Sequence, residues 1–385
     1  MKVLLVANYE PDDQNSMLAF RRLLERELPR LGCEVRVAAP PQRVLRFAPS
    51  ARWRKWFAYI DKFVLFIPSL VRQARWADVV HVTDHSNGMY VPWVESRPNV
   101  IACHDVIAIQ AARGMVAGWH VGRSGRLFQR LIVRGLARAD VIACASDLTR
   151  RDLLALDVAQ ASKVVLARHG LNDEFAPLPP AEAEALLAGL GLQPQEPYLL
   201  HVGLDLPRKN RRRVLETFIA LHERAAAASR PALVQRLVFV GPDLGPELAQ
   251  LAQRHGVADR VTTLQGLSHA EIRAAYAGAT ALLFPSLQEG FGWPVIEAQA
   301  CGCPVFTSDL APMNEIGGEG AVYVDPTDPT AMAAAIEQAV PRLGEMRRLG
   351  LENAAHYTST QMAANYVAAY QRAIRERTTQ PATQS

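Results

Sequence analysis

The chain has 385 residues, 49% of them hydrophobic and 21% charged, and a formal net charge of +4. This length exceeds what one typical hydrophobic core holds together and predicts two domains, while the composition excludes a disordered or fibrous protein. The mild positive charge suits anionic ligands and is too weak to indicate nucleic-acid binding. No apolar run approaches the ~20 residues of a membrane-spanning helix.

The amino terminus and the cysteines predict a cytoplasmic protein. The apolar run before Asn8 has only five residues, which is too short for a signal peptide and suits a first strand. The five cysteines are an odd number, and most lie in predicted strands or at helix ends, so we interpret them as reduced core residues. We expect no metal site, because Cys301-Gly302-Cys303 has neither a second cysteine pair nor a spaced histidine pair to complete it.

Strands and helices alternate through the first half of the chain, a pattern typical of parallel sheets with crossover helices. The predicted strands are Val3–Ala7, Glu34–Ala39, Asp78–Thr83, Asn99–Cys103, Asp140–Ala145 and Val164–Arg168. The predicted helices are Ser16–Leu31 and Ser146–Leu156, the second with Ser146 as its N-cap.

The same alternation restarts after Pro177-Leu178-Pro179-Pro180, where we predict the connection between two domains. The predicted strands are Tyr198–Gly203, Leu237–Gly241, Arg260–Gly266, Ala281–Phe284 and Pro304–Thr307. The predicted helices are Asn210–Ala227, Pro246–His255, one opened by the capping box Ser268–Glu271, Pro294–Cys301 and Pro329–Gln338. Both halves are therefore predicted to be doubly wound α/β domains.

A basic and aromatic segment runs from Arg52 to Arg75. A helix of this composition can lie in a membrane interface. It can also pack on the sheet of the first domain with its cations on the outer face. Pro68 interrupts the amphipathic pattern and favours packing on the sheet.

Polar residues follow three predicted strands of the first half. His104 and Asp105 come directly after one strand, and the run from His81 to Asn87 ends another. The loop after the first strand, from Asn8 to Met17, contains no glycine. We expect it either to bind a ligand through side chains such as those of Asn15 and Ser16 or to be positioned for a second substrate.

The stretch from Phe284 to Thr307, FPSLQEGFGWPVIEAQACGCPVFT, is the most informative of the chain. It predicts a strand, a loop, a short helix and a strand, with Glu289 in the loop and Pro294 at the first helical position. The N–H groups of Val295 and Ile296 would then be free to bind an anion. Glu297 is expected in the first turn, where its carboxylate can reach sugar hydroxyls beside that anion.

A second group of candidate ligand-binding residues lies in HVGLDLPRKN, residues 201–210, where a predicted strand meets a helix. Ligands of doubly wound sheets bind at the carboxyl ends of strands. Arg208 and Lys209 can neutralise a diphosphate there, and they stabilise it most when it gains charge as a leaving group.

These motifs resemble the E-x7-E signature of retaining glycosyltransferases, in particular glycosyltransferase family four (glycosyl transferases group 1), with the GT-B architecture. The resemblance covers nearly the whole chain and implies two facing Rossmann-like domains with a cleft between them. It implies an acceptor-side domain at 1–175, a nucleotide-sugar domain at 190–358, and a last helix near 360–376 that crosses back onto the first.

The resemblance also implies roles for the residues of the second domain. Glu289 and the loop N–H groups would contact the transferred sugar, Glu297 the ribose hydroxyls, and Lys209 the diphosphate. Arg208 would supply the cation that some relatives carry at the position of Leu204. The remaining donor-binding positions are Gly290, Phe291, Gly292, Val295 and Ile296.

In the first domain, the resemblance implies that His104 and Asp105 lie near the transferred sugar and the acceptor hydroxyl. Histidine is suited to proton transfer near neutral pH, so His104 is a candidate catalytic residue together with Lys209 and Glu289. Asp84 and His85 resemble the acceptor-side loop of part of the family, and Asn15 and Ser16 complete the acceptor-side candidates.

The implied activity is transfer of a hexosyl group, with mannosyl the first expectation, from a nucleoside diphosphate sugar to a glycan or lipid-linked glycan acceptor. GDP-mannose is the first donor expected and a UDP-sugar the second, without a cofactor or metal. We expect a cytoplasmic enzyme of polysaccharide or glycoconjugate biosynthesis, in peripheral contact with the inner membrane face if 52–75 binds lipid. A nucleotide-sugar epimerase, a disaccharide synthase and a non-catalytic nucleotide-sugar-binding protein remain alternatives.

Overall fold

The computed structural model describes residues 1–12, 14–116, 118–193 and 196–379, without the side chains of Asn15 and Ala51. It divides into two compact units. The first comprises Met1–Asp173 with the segment that begins at Ser359, and the second comprises Glu174–Thr358.

The first unit is built on a sheet of six parallel strands. They are β1 (Lys2–Val6), β2 (Glu34–Ala38), β3 (Val79–Val82), β4 (Asn99–Cys103), β5 (Val141–Cys144) and β6 (Val164–Leu166), in the order β2-β1-β3-β4-β5-β6. The helices are α1 (Asn15–Arg30), α2 (Ala51–Tyr59), α3 (Phe66–Ala74), α4 (Ile107–Ala112), α5 (Arg123–Arg138) and α6 (Asp147–Ala155).

Both faces of this sheet are buried, as expected for parallel strands with helical crossovers. In β1 the side chains of Leu4 and Val6 join one apolar cluster and those of Val3 and Leu5 join another. The Val3 and Leu5 cluster is covered by the last helix of the chain.

The segment from 51 to 74 is helical but not uniform. A π-helical stretch, Ile60–Leu65, joins α2 to α3. Pro68 has no N–H to donate to the carbonyl of Val64, and the wide turn lies just before it, which accounts for the interruption. The buried residues of α3 are Phe66, Leu70 and Ala74, so this part packs inward as predicted.

The second unit repeats the plan. Its strands are β7 (Tyr198–Val202), β8 (Arg236–Val240), β9 (Val261–Leu264), β10 (Ala281–Phe284), β11 (Val305–Ser308) and β12 (Ala321–Val324). All pairs are parallel, in the order β12-β11-β10-β7-β8-β9. The strand order reverses beside β7 and β10, so ligands are expected at the carboxyl ends of these two strands.

Most helices of the second unit correspond to helices predicted from the sequence. The helices of this unit are α7 (Pro180–Gly189), α8 (Arg211–Ala227), α9 (Pro246–Arg254), α10 (His269–Gly278), α11 (Trp293–Ala300), α12 (Met313–Ile316), α13 (Pro329–Ala339) and α14 (Leu343–Ala354), and α15 (Ser359–Thr379) then returns to the first unit. The Ala/Glu-rich run after Pro180 forms α7 and not a linker, because Ala183 and Leu187 are buried.

The predicted class of two doubly wound α/β domains is confirmed. Every strand predicted from the sequence is present, with ends that differ by at most two residues. The predicted N-cap at Ser146 and the capping box of Ser268 and Glu271 are both formed. Strand β12 and helices α4 and α5 were not predicted, because their apolar runs are short or their patterns are interrupted by arginine.

Candidate functional site

The turn between β7 and α8 is held in one conformation by Asn210. This residue adopts the left-handed conformation, with φ of 60°, and its side-chain amide donates to the carbonyls of Pro285 and Pro326 at 2.9 and 2.8 Å. The N–H of Leu287 also donates to the Arg208 carbonyl at 2.8 Å. The turn that carries the two predicted cations is therefore fastened to the loop after β10.

Glu289, in that loop, is the centre of a charged cluster. Its Oε1 lies 2.6 Å from the Lys209 ammonium and its Oε2 accepts a hydrogen bond from the Arg208 guanidinium at 2.9 Å. Arg208 also donates to the carbonyl of Gln288 at 3.1 Å. Glu289 is buried at 7% exposure. Three residues selected from the sequence alone thus meet at the carboxyl ends of two adjacent strands.

An apolar floor lies beneath this cluster. The Lys209 ammonium is 4.9 Å from the centre of the Phe284 ring, and the imidazole of His201 stacks on the same ring at 6.0 Å. Burial lowers the pKa of His201 to about 3, so this histidine is neutral at physiological pH. The cations of the cluster are therefore Arg208 and Lys209, without a charged histidine below them.

The start of α11 differs from the prediction by one residue. Gly292 precedes the helix with φ of +97°, a conformation that suits glycine, and Trp293 is the first helical residue, so Pro294 is second rather than first. The N–H of Val295 is not free, because it donates to the Gly292 carbonyl at 3.0 Å. Of the N–H groups predicted to bind an anion, that of Val295 is therefore already engaged.

Glu297 lies beyond the first turn of α11, contrary to the prediction. The helix begins at Trp293, so Glu297 is its fifth residue. Its carboxylate is buried at 7% exposure and accepts a hydrogen bond from the Tyr276 hydroxyl at 2.9 Å. The hydrogen bond from Tyr276, on α10, helps to fix the position of this carboxylate.

The loop residues between the two glutamates have different environments. The ring of Phe291 is buried and packs between Trp293 and Tyr357, with centroids 5.9 and 6.0 Å away. Only the backbone of Phe291 can therefore serve a ligand. Gly290 is half-buried, and the role of Gly290, Phe291, Gly292 and Ile296 in donor binding stays a prediction.

In the first unit, Asp84 is the best-connected of the predicted acceptor-side residues. It is buried and accepts from the side-chain amide of Asn8 at 2.6 Å and from the Ser86 N–H and hydroxyl at 2.9 and 2.6 Å. His85 Nδ1 lies 3.3 Å away. Burial alone would raise the pKa of Asp84, but the two neighbouring histidines and the Ser86 bonds together lower it.

His104 is buried and both of its ring nitrogens are engaged. Its Nε2–H donates to the carbonyl of Thr83 at 2.8 Å, so its Nδ1 accepts from His169 Nε2–H, also at 2.8 Å. Burial lowers the pKa of His104, and the neighbouring carboxylates offset this only in part. A role for His104 in proton transfer needs one of these bonds to open, and its assignment as a catalytic residue stays a prediction.

The other predicted acceptor-side residues are Asp105, Ser16 and Asn15, and no contact described above joins Asp105 or Ser16 to Asp84. Asp105 accepts from the N–H of Ile107 at 3.0 Å and so orders the start of α4. Ser16 is exposed on α1, and the side chain of Asn15 lies outside the described residues. Their roles as acceptor contacts stay predictions.

Sequence reasoning missed three residues that the structure adds. Asn8 and His169 each follow a strand, the same pattern that selected Asp84 and His104, so this signal was present in the sequence. Tyr276 carried no such signal, because it meets Glu297 only through the packing of α10 on α11.

The described part of the chain contains neither a cluster of metal ligands nor a helix that could span a membrane. Among the described residues, no group of three or more histidines, cysteines, aspartates or glutamates is arranged to hold a metal ion. Within the same residues, every helix is too short or too polar to cross a bilayer.

Two family models match the chain. The model described as "Glycosyl transferases group 1" matches residues 183–355, and the model described as "Glycosyltransferase Family 4" matches residues 22–175.

Curated relatives match at modest identity. The O-antigen chain mannosyltransferase B of Escherichia coli is 26% identical over 70% of this chain and 68% of its own. The D-inositol 3-phosphate glycosyltransferase of Mycobacterium sp. (strain KMS) is 31% identical over 61% of this chain and 53% of its own. The match thus spans about two thirds of the first relative and about half of the second.

A solved structure shares the fold over nearly the full length. The crystal structure of Anabaena HepE in complex with UDP and glucose superposes with a TM-score of 0.72 and 15% identity, covering 96% of this chain and 99% of that one. This likeness extends the agreement in fold to both units.

Proposed function

Because the chain belongs to the group 1 glycosyltransferases of family four, we propose that it transfers a hexosyl group from a nucleoside diphosphate sugar to a glycan or lipid-linked glycan, with retention of configuration. The observation that carries this proposal is the cluster of Glu289 with Arg208 and Lys209 at the carboxyl ends of β7 and β10. Fixed cations beside a carboxylate suit a ligand that combines a diphosphate with sugar hydroxyls.

The second unit holds the donor in this proposal. Arg208 and Lys209 bind the diphosphate, and their effect grows as the glycosidic bond breaks and negative charge moves onto the leaving group. Glu297, held by Tyr276, binds the ribose hydroxyls. Attack occurs on the face that the leaving group vacates, and the leaving phosphate accepts the acceptor proton. These residues perform the charge stabilisation without a bound metal.

The first unit holds the acceptor in this proposal. Asp84, with His85 and His104 beside it, provides a buried carboxylate at the carboxyl end of β3. Because Asp84 already accepts from Asn8 and Ser86, it is oriented before a hydroxyl arrives. An oriented carboxylate can position an acceptor hydroxyl as well as accept its hydrogen bond.

Mannose is the transferred sugar that we propose first, with GDP-mannose as donor. The similarity to an O-antigen chain mannosyltransferase supports mannose. The HepE complexes contain UDP, which supports a UDP-sugar as the second candidate. The product would enter a polysaccharide or glycoconjugate in the cytoplasm.

We also propose peripheral contact with an anionic membrane face through α2 and the π-helical stretch. Large apolar side chains there face solvent, with Trp53 50% exposed and Trp56 and Val64 each 61% exposed. Arg52 and Lys55 are exposed beside them. Aromatic side chains flanked by cations are typical of helices that lie in a membrane interface.

The helix α5 extends this membrane-facing surface. The rings of Phe63 and Phe128 lie 6.4 Å apart, so α5 is a neighbour of the π-helical stretch. Leu127 and Leu131 are 58% and 41% exposed on it. Flotation with phosphatidylglycerol vesicles should carry the protein, and Trp56→Ser should reduce that binding, while binding equal to that with phosphatidylcholine would contradict the proposal.

A thermal-shift screen against nucleotide sugars tests the donor assignment. A ligand that binds only the folded protein raises its melting temperature by mass action. We expect GDP-mannose to raise it more than free mannose does. Isomerised nucleotide sugar formed without an acceptor would indicate an epimerase, and binding with no turnover would indicate a non-catalytic binding protein.

The variant Lys209→Ala tests the mechanism. We expect kcat to fall roughly 10²-fold or more with a smaller change in donor affinity, because the diphosphate charge is greatest in the transition state. Arg213→Ala is a matched control, since Arg213 follows on α8 but pairs with Glu216 at 2.5 Å. A raised KM with unchanged kcat would mean that Lys209 only binds the donor.

A further inference from the structure

A cavity of about 310 Å³ lies in the first unit between the loop after β1 and the segment 54–62. The residues that shape it include Tyr9 and Asp12 from the loop and Arg54, Lys55, Tyr59 and Lys62 from the helical segment. None of them belongs to the donor cluster of Glu289. The volume is large enough for one sugar ring.

The charge of this cavity is positive. Lys62 pairs with Asp12 and its ammonium lies 5.0 Å from the centre of the Tyr9 ring. Arg54 and Lys55 are exposed, and neither has a carboxylate partner within the described part of the chain. Lys55 instead lies 5.8 Å from the Tyr59 ring. Asp12 in the lining and the Asp61 carboxylate behind Tyr9 offset two of the three cations, so a net positive charge is left for an anion.

The wall of the cavity is fixed by Asp61, which is fully buried. Its carboxylate accepts from the Tyr9 hydroxyl at 2.9 Å and from the N–H groups of Val44 and Leu45 at 2.9 and 3.1 Å. Burial and this hydrogen bond raise the pKa of Tyr9. The phenol therefore stays neutral and adds no negative charge to the cavity.

The cavity is linked through the chain to the proposed acceptor carboxylate, Asp84. Tyr9 lines it, and the preceding residue, Asn8, donates its side-chain amide to Asp84 at 2.6 Å. A molecule in the cavity would therefore lie against a residue, Tyr9, whose neighbour Asn8 contacts Asp84.

We propose that this cavity binds an acidic group, a phosphate or a carboxylate, carried on a sugar of the acceptor. The cations bind the acidic group and the Tyr59 ring contacts the sugar, while Tyr9, buried at 2% exposure, supports Lys62 from behind. That the ligand is a glycosyl acceptor rests on the proposed function, whereas the binding of an acidic sugar does not. An acidic group selects among acceptors because its charge-assisted hydrogen bonds to Arg54, Lys55 and Lys62 are stronger than those of the hydroxyls of a neutral sugar.

Calorimetric titration of the full chain with glucose 1-phosphate, glucuronate and glucose tests the proposal. We expect at least one acidic sugar to bind and glucose to bind at least about tenfold more weakly, since losing a charge-assisted hydrogen bond has that effect. Binding of glucose 1-phosphate alone would indicate a phosphorylated acceptor. Binding of glucuronate would indicate an acceptor with a carboxylate. Both results support the proposal.

Variants locate the binding. Arg54→Gln and Lys55→Gln should each weaken it about tenfold, whereas Arg22→Gln, an exposed arginine of α1, should not. Lys209→Ala should leave it unchanged, because Lys209 belongs to the other unit. The proposal would be overturned if affinity for the acidic sugar depended on Lys209 and not on Arg54, or if glucose bound as tightly as the acidic sugars. Inorganic phosphate that binds equally to all variants would overturn it as well.

These outcomes separate the two proposals. If GDP-mannose and UDP-sugars fail to bind but an acidic sugar binds through Arg54, the donor assignment fails and the cavity assignment stands. If a nucleotide sugar binds and no acidic sugar does, only the cavity assignment fails.

Discussion

The carboxylate of Glu289 occupies both cations on which the donor diphosphate is proposed to bind. Lys209 and Arg208 contact its two oxygens at 2.6 and 2.9 Å. A diphosphate must therefore share these cations with a buried carboxylate of the same charge sign. The ion pairs order the cations in advance and also compete with the ligand.

This competition predicts opposite effects for the variant Glu289→Gln. We expect GDP or UDP to bind more tightly, by roughly three- to tenfold, because a neutral amide neither holds the cations nor repels the diphosphate. We expect transfer to fall at least about tenfold, because the proposed contact of the Glu289 carboxylate to the transferred sugar would be lost. Calorimetry and a transfer assay measure the two effects, and a parallel loss of both would contradict this assignment.

Glu297 has a different environment and a separate prediction. Glu297→Gln keeps an oxygen that can accept the Tyr276 hydroxyl, so the fold should remain, while donor affinity falls by about 1.5–3 kcal/mol through loss of a charged hydrogen bond. Tyr276→Phe should have a smaller effect of the same sign. Glu247→Gln, at an exposed carboxylate of α9, is the control. Unchanged nucleotide affinity in Glu297→Gln would remove this residue from the donor site.

At the scale of elements, α15 contributes a buried face to the core of the first unit. Six of its residues are buried, namely Met362, Ala363, Tyr366, Ala369, Tyr370 and Ala373. Tyr366 stacks on His81 at 4.8 Å and meets the Phe20 ring at 5.6 Å. A helix from the end of the sequence thus completes the apolar cluster on one face of the first sheet.

The variant Tyr366→Ala should destabilise the first unit by about 3–5 kcal/mol, the usual effect of truncating a buried aromatic residue. The exposed residue Gln371 on the same helix gives the control Gln371→Ala, which should change stability little. Urea unfolding followed by hydrogen exchange in the first unit provides the measurement. Equal stabilities of the two variants would mean that α15 is not part of that unit's core.

At the scale of the whole molecule, each unit contains a fully buried histidine in a central strand, His81 in β3 and His201 in β7. Burial lowers the pKa of His81 in the first unit and of His201 in the second to about 3. The folded state therefore keeps both neutral, while the unfolded chain protonates them below about pH 6.5. Stability from this source is complete above that pH and is lost as the pH falls toward 3.

We expect the free energy of unfolding to fall by about 2 kcal/mol per histidine between pH 7.5 and pH 5, given this difference in pKa. His81→Gln should reduce that pH dependence in the first unit. His255→Gln, at an exposed histidine, should not. Urea unfolding at the two pH values measures the slope, and an unaltered slope in His81→Gln would contradict the buried, neutral state of this residue.

The sequence by itself determined the fold class and the meeting of Glu289 with Arg208 and Lys209. Both are governed by local patterns: apolar runs fix the strands, Ser146 and Ser268 cap their helices, and Glu289, Arg208 and Lys209 lie at strand ends that a parallel sheet brings to one edge. The positions of these polar residues directly after the strands were therefore enough to predict that they meet, without knowledge of the packing.

The tertiary structure alone decided which partners these residues have. The Tyr276 hydroxyl on Glu297, the pairing of His104 with His169, and Asp61 beneath Tyr9 all join residues at least 21 positions apart. Hydrogen bonds between distant segments depend on how helices pack on a sheet, and no local pattern encodes that geometry.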